Sequence, residues 1–460
     1  MPTNEPTKAA ATELPRTHRR LALHPTVAAA SRRTKSEPKQ PLTLDEIRRI
    51  AIAAGADDAS AVSLSHPDLA EEARYIEAAL PGARTLVAIV VRMHVDNVRS
   101  PERSIANLEF HRTGKAVDEV AHAIAKALGE LGHRAVNPAM AFPMEMDRFP
   151  ERSWIVSHKR VAVAAGLGKM GLHRSVIHPR FGSFILLGTV ITDAELTERA
   201  HPLDFDPCLR CQLCVAACPV GAIEPDGSFR FSACYTHNYR EFMSGFTDFI
   251  EEVADSHDRH DFRARVSQSE SASMWQSLAF RPNYKAAYCL AVCPAGEEVI
   301  APYLESKAEH VRTIVRPLLD REEPVYVVAG SDAEAHVRKR FPHKRPRRVR
   351  SSLRPRSARH FVEALPLSFQ RERARDLTAR FHFDFSGDDS IQATVVTDKG
   401  DLHVEPGLNG KADLAVRSDG SLWIDILEKR KSPLFAALAG KLHLRGNRAL
   451  LMRFRACFPR

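Results

Sequence analysis

The chain has 460 residues, of which 44% are hydrophobic and 27% are charged, so it can bury about three domain cores and is not a disordered protein. No apolar run approaches the roughly 18 residues of a membrane-spanning helix, and we expect no membrane span. The net charge of +9 lies mainly in two blocks, with +5 in residues 1–40 and +10 in residues 338–356, which leaves −6 elsewhere. Nucleic-acid binding by the other parts of the chain is therefore not indicated.

The first predicted elements introduce an α/β domain over residues 41–200. Residues 1–40 show no hydrophobic periodicity, which predicts a disordered basic tail. Order is expected to begin at Thr43 and Glu46, whose spacing is that of a capping box. Apolar residues at helical spacing then predict a helix that stops at Gly55.

Strands and helices alternate through the rest of this domain. The β-branched run 85–91 predicts a strand covered on both faces, and a long helix ending at Gly132 follows it. A further helix is expected to end near Gly166. Two strands, at roughly 173–178 and 183–192, then flank a tight turn. This alternation predicts an α/β fold.

Four segments make up the remainder of the chain. Residues 201–300 read as a ferredoxin-like insert, and residues 301–336 as an extension of one helix and one strand. The basic stretch 337–358 is interpreted as a solvated linker, with RNA or anionic lipid as its alternative partners. Residues 359–460 predict a small α+β domain with an apolar interior, beginning with a helix near 360–380.

The strongest chemical signal is a run of four cysteines, Cys208, Cys211, Cys214 and Cys218, followed directly by Pro219. This spacing matches bacterial ferredoxins, in which three thiolates hold one cluster and the fourth reaches a second cluster. A structural zinc site is the alternative, although zinc sites usually pair two CxxC units across a longer gap. The run predicts an iron–sulfur cluster. Because metal-ligating cysteines suit a reducing compartment, we expect a cytoplasmic protein.

A second cysteine group repeats the last half of this motif. Cys289 and Cys293 precede Pro294, and Cys234 lies between the two groups. By the crossover rule of two-cluster ferredoxins, Cys293 completes the site of Cys208, Cys211 and Cys214. The residues left for a second cluster are Cys218, Cys234 and Cys289.

The second cluster lacks one expected cysteine because position 286 is Ala. Either it is a three-iron cluster, or it is a 4Fe-4S cluster with a non-cysteine ligand, for which Tyr235 and His237 are candidates. The alternative is that Cys234 and Cys289 are plain buried thiols and that only one cluster exists.

The string Ala165–Asp193, followed closely by the four-cysteine run, resembles epoxyqueuosine reductases and reductive dehalogenases over roughly residues 45–300. The resemblance implies a nitroreductase-like domain that binds cobalamin, joined to a two-cluster ferredoxin module that passes electrons to the corrinoid or the substrate. The residues implied to contact the corrinoid are Gly166, Gly168, Lys169, Gly171, His173, Ser175 and Gly182. Without the resemblance, the glycines indicate a helix stop followed by a loop.

The same resemblance extends to Glu109-Phe-His111, where epoxyqueuosine reductases have Asp-Tyr-His and the Asp is the proton donor. It implies that Glu109 is a general acid, since burial above an apolar corrin would raise the pKa of a carboxyl group. A surface Glu near a helix start is the alternative reading. The substitution of Glu for Asp leaves the substrate open.

The last domain resembles the sterol carrier protein type two family. The residues that carry this resemblance lie in Phe381–Phe458 and include the segments Ala412–Leu414, Trp423–Leu427 and Gly440–Asn447. The resemblance implies a hydrophobic tunnel for lipids, sterols or acyl chains. The alternative is that the apolar side chains simply form a core.

These observations favour an iron–sulfur reductase that receives electrons from a ferredoxin or flavodoxin and acts on an apolar substrate presented by the last domain. A non-catalytic electron-transfer or lipid-binding adaptor is the second hypothesis. A tRNA-modifying reductase is the third, and the basic linker is its local support.

Overall fold

The computed structural model describes residues 24–27, 39–148 and 152–459. Most of the predicted basic tail lies outside these residues. In the part of the chain that the structure describes, no helix is both long and apolar enough to cross a membrane.

The first unit packs helices on a four-stranded sheet. Its elements are α1 (Leu44–Ala53), β1 (Asp58–Ser63), α2 (Ala70–Ala79), β2 (Thr85–Arg92), α3 (Val95–Arg99), α4 (Arg103–Glu130), β3 (Ala135–Val136), α5 (His158–Ala164), β4 (Lys169–Met170), β5 (Val176–Ile177) and β6 (Ile185–Thr192). The sheet order is β1-β2-β6-β3 and every pair is antiparallel. Short 3₁₀ turns occur at Pro67–Leu69 and Met146–Arg148.

The capping box and the buried strand are confirmed. Both capping hydrogen bonds between Thr43 and Glu46 are present at the start of α1. Side chains of β2 alternate between two cores, with Val87 and Ile89 facing α1 and α4 and with Leu86 and Ala88 facing α5. Burial on both faces explains the continuous β-branched run.

The pairing expected at residues 173–192 is wrong. Instead of a hairpin of two long strands, β5 pairs with β4, and β6 lies between β2 and β3. The two segments meet only at the bridge between His178 and Gly182. Because β6 is apolar along its whole length, it takes a central position in the main sheet, where both faces are covered.

The cysteine-rich module and its extension follow as short helices and one strand pair. They comprise α6 (Leu213–Ala217), α7 (Phe231–Asn238), α8 (Met243–Ala254), α9 (Arg259–Arg265), α10 (Gln268–Phe280), α11 (Tyr288–Ala291), α12 (Ala301–Glu305), α13 (Lys307–His310), a π turn (Val311–Val315), α14 (Arg316–Leu319), β7 (Pro324–Val328), α15 (Asp332–Arg340) and β8 (Arg345–Val349). β7 and β8 are parallel. Val325, Val327 and Val337 share one core with Cys214 and Cys218, so the extension packs on the cysteine module.

The segment predicted as a basic linker is folded. The end of α15 and all of β8 lie within it, and several of its charges pair with acidic residues of neighbouring elements. Lys344 is buried and pairs with Glu323 at 2.9 Å, and Arg347 pairs with Glu270 at 3.3 Å. The sequence reading failed because the compensating acids lie elsewhere in the chain.

The last unit is a five-stranded sheet covered by helices. Its elements are α16 (Ala358–Ser368), β9 (Ala379–Ser386), β10 (Ile391–Asp398), β11 (Asp401–Pro406), β12 (Leu414–Asp419), α17 (Gly420–Leu427), α18 (Pro433–Leu438), β13 (Leu442–Gly446) and α19 (Ala449–Ala456). The order is β11-β10-β9-β12-β13, and only β9 and β12 are parallel. The predicted α+β class is confirmed, although its first helix ends at Ser368 rather than near residue 380.

Candidate functional site

Two short loop–helix units with matching backbone conformations carry most of the cysteines. Gln212 precedes α6 with φ of 61° and Ala287 precedes α11 with φ of 55°, both left-handed conformations that non-glycine residues rarely adopt. The two helices pack against each other. Superposing these units in register matches Cys214 with Cys289, and it matches Cys211 with Ala286.

Four cysteines line one cavity. The cavity is partly open to solvent and is lined by the first thiol group, which consists of Cys208, Cys211, Cys214 and Cys293. Burial raises the pKa of Cys214, and it raises the pKa of Cys293 to about 11. A buried thiol with a raised pKa loses its proton when a positive charge lies next to it, and the iron atoms of a cluster provide that charge. This is the set that crossover pairing predicts.

The remaining three cysteines form the second thiol group, Cys218, Cys234 and Cys289. Burial raises the pKa of Cys234 to about 12, and the charge of Cys218 contributes to this shift. Burial and the charges of Cys234 and Cys218 likewise raise the pKa of Cys289. The sulfur of Cys218 accepts a hydrogen bond from the Ala222 N–H at 3.2 Å. The second group therefore offers three sulfur donors side by side.

The spread of the thiols is compatible with an iron–sulfur cluster. Among the described residues, no three His, Cys, Asp or Glu side chains converge closely enough to hold one metal ion. A structural zinc ion requires this convergence because its four ligands share one ion. An iron–sulfur cluster does not require it, since its thiolates bind different iron atoms.

The candidate fourth ligands of the second group have other packing roles. His237 is buried, its Nδ1 accepts a hydrogen bond from the Tyr326 N–H at 3.2 Å, and the charges near it belong to Lys285 and Lys344. The Tyr235 ring stacks on Phe231 with centroids 5.3 Å apart. His237 is thus held to β7 through Nδ1, whereas its buried Nε2 has no hydrogen-bond partner among the described residues.

Two arginines of the first unit hold the second loop–helix unit in place, a role that no sequence motif indicates. Arg103 donates a hydrogen bond to the Ala286 carbonyl at 2.9 Å, and Arg99 donates to the Ala291 carbonyl at 3.3 Å. Their guanidinium charges lie near Cys289 and Cys293, respectively. They bring positive charge to both thiol groups.

The predicted cofactor loop lies against the thiol groups. His173 is buried and lines the cavity of the first thiol group. Its Nδ1 accepts the Ser175 N–H at 3.1 Å, whereas its Nε2 has no partner in the described structure. Burial lowers the pKa of His173 to about 4, so the imidazole is neutral. Lys169 lies on β4, one residue after Gly168.

The glycines of this loop are explained by packing within the chain. A Cβ at Gly168 would lie 2.5 Å from Val176 Cγ1, and one at Gly171 would lie 2.6 Å from Ile177 Cδ1. Gly166 has a φ of 77° directly after α5, which makes it a helix stop. The space next to these glycines is filled by protein rather than open to a ligand.

Gly182 fixes the first unit to the second loop–helix unit. It has a φ of 64°, and a Cβ there would lie 1.9 Å from the Ala295 carbonyl oxygen. Two carbonyl groups of the same turn also accept hydrogen bonds. The Pro179 carbonyl accepts from the Glu297 N–H at 2.9 Å, and the Arg180 carbonyl accepts from the Glu298 N–H at 3.0 Å. Gly182 is therefore a docking residue.

Glu109 is held by three donors. Its carboxylate accepts hydrogen bonds from the His94 N–H at 2.7 Å, Asn97 Nδ2 at 2.8 Å and the Thr113 hydroxyl at 3.1 Å. A protonated carboxyl group would have to give up part of this acceptor capacity. These contacts make Glu109 an anchor between α3 and α4, and a general-acid role would require their rearrangement.

His111 and a series of aromatic rings were missed by the sequence reading. Burial, followed by the charge of Arg281, lowers the pKa of His111, and its Nε2 lacks a partner among the described residues. The neighbouring Phe110 ring lies 4.8 Å from Tyr284, and Tyr284 lies 5.8 Å from Tyr239. Burial raises the pKa of Tyr239 well above its ordinary value, as does the adjacent charge of Cys234. The rings connect the second thiol group with the surface around His111.

The last unit has a densely packed aromatic interior. Phe383 is fully buried and lies within 6.0 Å, between ring centroids, of Phe385 and Trp423. The buried Trp423 Nε1 has no hydrogen-bond partner in the described structure. A buried N–H without a partner is costly, and a hydroxyl or carbonyl oxygen of an apolar ligand could satisfy it.

Two family models match the chain. The 4Fe-4S binding domain matches residues 201–224, and the SCP-2 sterol transfer family matches residues 362–459. These matches support the predicted fusion of an iron–sulfur module with a sterol-carrier-like domain.

Curated relatives match about a third of the chain. Epoxyqueuosine reductase of Synechococcus sp. (strain CC9605) is 30% identical over 157 residues, covering 31% of this chain and 42% of the relative. The Bacillus anthracis epoxyqueuosine reductase is 26% identical over 184 residues, covering 38% and 41%. The chain thus spans less than half the length of the curated relatives that it matches.

Solved structures show weaker similarity. Epoxyqueuosine reductase from Streptococcus thermophilus is 16% identical with a TM-score of 0.34, covering 64% of this chain and 82% of that chain. A reductive dehalogenase described with a mechanism for B12-dependent dehalogenation is 16% identical with a TM-score of 0.37, covering 68% and 41%.

Proposed function

We propose that the chain is an iron–sulfur reductase that carries electrons through two clusters to an acceptor near His111. The first cluster is bound by Cys208, Cys211, Cys214 and Cys293, and the second by Cys218, Cys234 and Cys289. The observation that carries the proposal is the convergence of seven cysteines into two adjacent groups, one of which connects through aromatic rings to His111. The match to the 4Fe-4S family supports it.

Electrons enter at the first thiol group. Cys208 and Cys211 are only partly buried, and the neighbouring Leu209 is exposed. A donor protein of the ferredoxin or flavodoxin kind can therefore approach this edge. Electrons then pass to the second group, whose Cys289 lies close enough to Cys214 for its charge to raise the pKa of that thiol, in addition to the effect of burial.

The second cluster is proposed to have three iron atoms. Three thiols lie near one another there, and the position equivalent to Cys211 holds Ala286. Its backbone N–H donates to Asn238 Oδ1 at 3.0 Å, and its methyl side chain offers no ligand atom. The hydrogen bond that His237 Nδ1 accepts from the Tyr326 N–H leaves only Nε2 of this ring as a possible fourth ligand.

A corrinoid is the proposed additional cofactor, supported by similarity to epoxyqueuosine reductases in sequence. The nitroreductase-like assignment of residues 41–200 has the same support, together with the helix–sheet layering. The loop glycines are occupied by packing, so the route of electrons proposed above includes no step through the corrinoid. Added cobalamin that co-purifies with the chain and changes its visible spectrum would support the cofactor, and lack of uptake would contradict it.

The last domain is proposed to bind an apolar molecule, with Trp423 Nε1 donating to its polar end. The match to the SCP-2 family supports lipid binding.

A lipid-binding or electron-carrying adaptor without catalysis is the alternative function. The hydrogen bonds that hold Glu109 in place favour this alternative over acid catalysis by Glu109. In the tRNA-modifying alternative, which the curated relatives' name suggests, basic residues of the 337–358 segment would have to exchange internal ion pairs for phosphate.

The test is anaerobic purification followed by iron, sulfide and EPR measurements on cysteine variants. Cys211→Ser should remove the first cluster signal, and Cys234→Ser should remove the second. Cys457→Ser is the matched control, because Cys457 is a buried thiol in the last unit. Iron content that is insensitive to Cys211 and Cys234 would contradict the proposal, as would failure of the reduced clusters to reoxidise in the presence of any organic acceptor.

A further inference from the structure

An exposed apolar helix lies inside the most uniformly basic part of the last unit. In α18, Leu434, Phe435 and Leu438 are 67%, 73% and 75% exposed, and only Ala436 is buried. Their spacing puts the three large side chains on one face of the helix, opposite the residue that packs on the core. We call Leu434, Phe435 and Leu438 the apolar knob. Such a cluster is unusual on a protein surface unless something binds it.

The chain segment that contains the knob carries charge of one sign. Residues 429–460 contain nine Lys and Arg and no Asp or Glu. Lys429 and Lys431 precede α18 and Lys441 follows it, all three of them exposed. Lys429, Lys441 and Arg445 make no ion pair within the described part of the chain, so their charges face solvent. Arg430 and Lys431 pair with Asp425 of the same unit.

We propose that the apolar knob and the basic residues around it form a docking surface for an anionic lipid bilayer. Large apolar side chains flanked by Lys and Arg match a membrane interface, where the side chains enter the headgroup boundary and the cations meet lipid phosphates. The proposal does not depend on the reductase activity. According to this proposal, the last domain takes up its apolar ligand while it is bound to a membrane surface.

A second copy of the chain fits this surface less well. A symmetric contact through the knob would bring two sets of basic residues together, and like charges across an interface oppose association. The knob also does not complete the interior of its own unit, because that core is already filled by Phe381, Phe383 and Phe454.

The experiment is co-sedimentation of the full chain with vesicles. Vesicles of phosphatidylcholine mixed with phosphatidylserine should bind the chain, vesicles of phosphatidylcholine alone should bind it more weakly, and added salt should release it. The double variant L434E/F435E should lower binding about tenfold or more, since two large apolar side chains no longer enter the bilayer. Leu304→Glu is the matched control, because Leu304 is 66% exposed on α12.

A second pair of variants tests the charge. The double variant K441E/R445E should weaken binding by about fivefold or more for each charge removed. Lys126→Glu, an exposed lysine on α4, should leave binding unchanged. Circular dichroism and the visible spectrum verify that each variant is folded.

Three outcomes would overturn the proposal. The first is equal binding by L434E/F435E and the unmodified chain, which would place the contact elsewhere, for example in residues 1–40. The second is no binding to either kind of vesicle. The third is an unmodified chain that is dimeric in sedimentation equilibrium and becomes monomeric in L434E/F435E, which would make the knob an interface between copies.

Discussion

Several residues near the thiol groups act through backbone contacts. Arg99 and Arg103 bind carbonyl groups of the second loop–helix unit, and Gly182 lets the turn before β6 approach Ala295. These contacts determine where Cys289 and Cys293 lie. A change at one of them should disturb cluster binding without touching a ligand.

Gly182→Ala should destabilise the protein by about 2 kcal/mol or more. The positive φ costs about 1–2 kcal/mol for a residue with a Cβ, and the methyl group would also overlap the Ala295 carbonyl. Thermal unfolding of the cluster-loaded chain measures the loss. Gly330→Ala is the control, because Gly330 has a φ of 75° but nothing within 4 Å of a Cβ. Equal losses in both variants would show that the close approach adds nothing.

Glu334 should make stability depend on pH in the acid range. Burial raises the pKa of Glu334, but hydrogen bonds from the Gly330 N–H, Arg338 and Arg348 outweigh burial and lower it from 4.5 to about 2. A carboxylate whose folded-state pKa is depressed stabilises the fold above the unfolded-state pKa and loses this effect as pH falls through the folded-state value.

The variant Glu334→Gln should therefore be less stable than the unmodified chain at pH 7. The difference in unfolding free energy should shrink between pH 4.5 and about 2. Denaturant unfolding at a series of pH values measures it. Asp384→Asn is a comparison at another ion pair, with Arg417 at 3.4 Å. A difference between unmodified chain and Glu334→Gln that stays constant down to pH 2 would contradict the assignment.

Among the elements, α6 and α11 form a repeated pair with one ligand missing. Each follows a residue in the left-handed conformation, and each carries a cysteine at the equivalent position. A cysteine at residue 286 should complete the proposed second cluster, because this residue, like Cys211, directly precedes a residue in the left-handed conformation at the start of a helix.

Ala286→Cys should convert the second cluster from three irons to four. The expected result is one more iron per chain and loss of the EPR signal of an oxidised three-iron cluster. Ala287→Cys is the matched control, because it adds a thiol at the adjacent residue outside the ligand position. An unchanged EPR spectrum in Ala286→Cys, or the same change in Ala287→Cys, would contradict the three-iron assignment.

What could be predicted from the sequence differs between the elements. The strand over residues 85–91 and the capping box at Thr43 rest on local patterns, and both were right. Cys293 lines the same cavity as Cys208, Cys211 and Cys214, as the crossover pattern of ferredoxins leads one to expect, and its role as a ligand stays a prediction. The positions of β5 and β6 in the sheets could not be predicted from the sequence, because strand pairing depends on competition between distant segments. The basic stretch was misread for the same reason, because Glu270 and Glu323 compensate it from outside.

At the scale of the whole molecule, the last unit docks on the cysteine module. Arg371 donates hydrogen bonds to Ser228 at 2.7 Å and pairs with Asp226 at 3.2 Å. Nearby, the Asp332 N–H donates to Gln370 Oε1 at 2.8 Å. These polar contacts hold the sterol-carrier-like domain against the redox module.

Arg371→Ala should loosen this contact while each unit stays folded. The expected result is faster cleavage by a protease near residues 350–372 and an unchanged cluster spectrum. Arg375→Ala is the control, because Arg375 is exposed and pairs only with Glu372. Equal cleavage rates for the unmodified chain and Arg371→Ala would show that Arg371 does not hold the units together.

The docking of Gly182 and the two arginines on the second loop–helix unit has a consequence for biogenesis. Cys293 follows Cys218 by 75 residues, so a growing chain presents the first four cysteines long before either ligand set is complete. By then the whole of the first unit has been synthesised and can fold around α4 and β6. With the proposed ligand sets, we therefore expect iron insertion to follow docking of the loop at Cys293 on the finished domain, and a nascent chain stalled before residue 289 should carry no stable cluster.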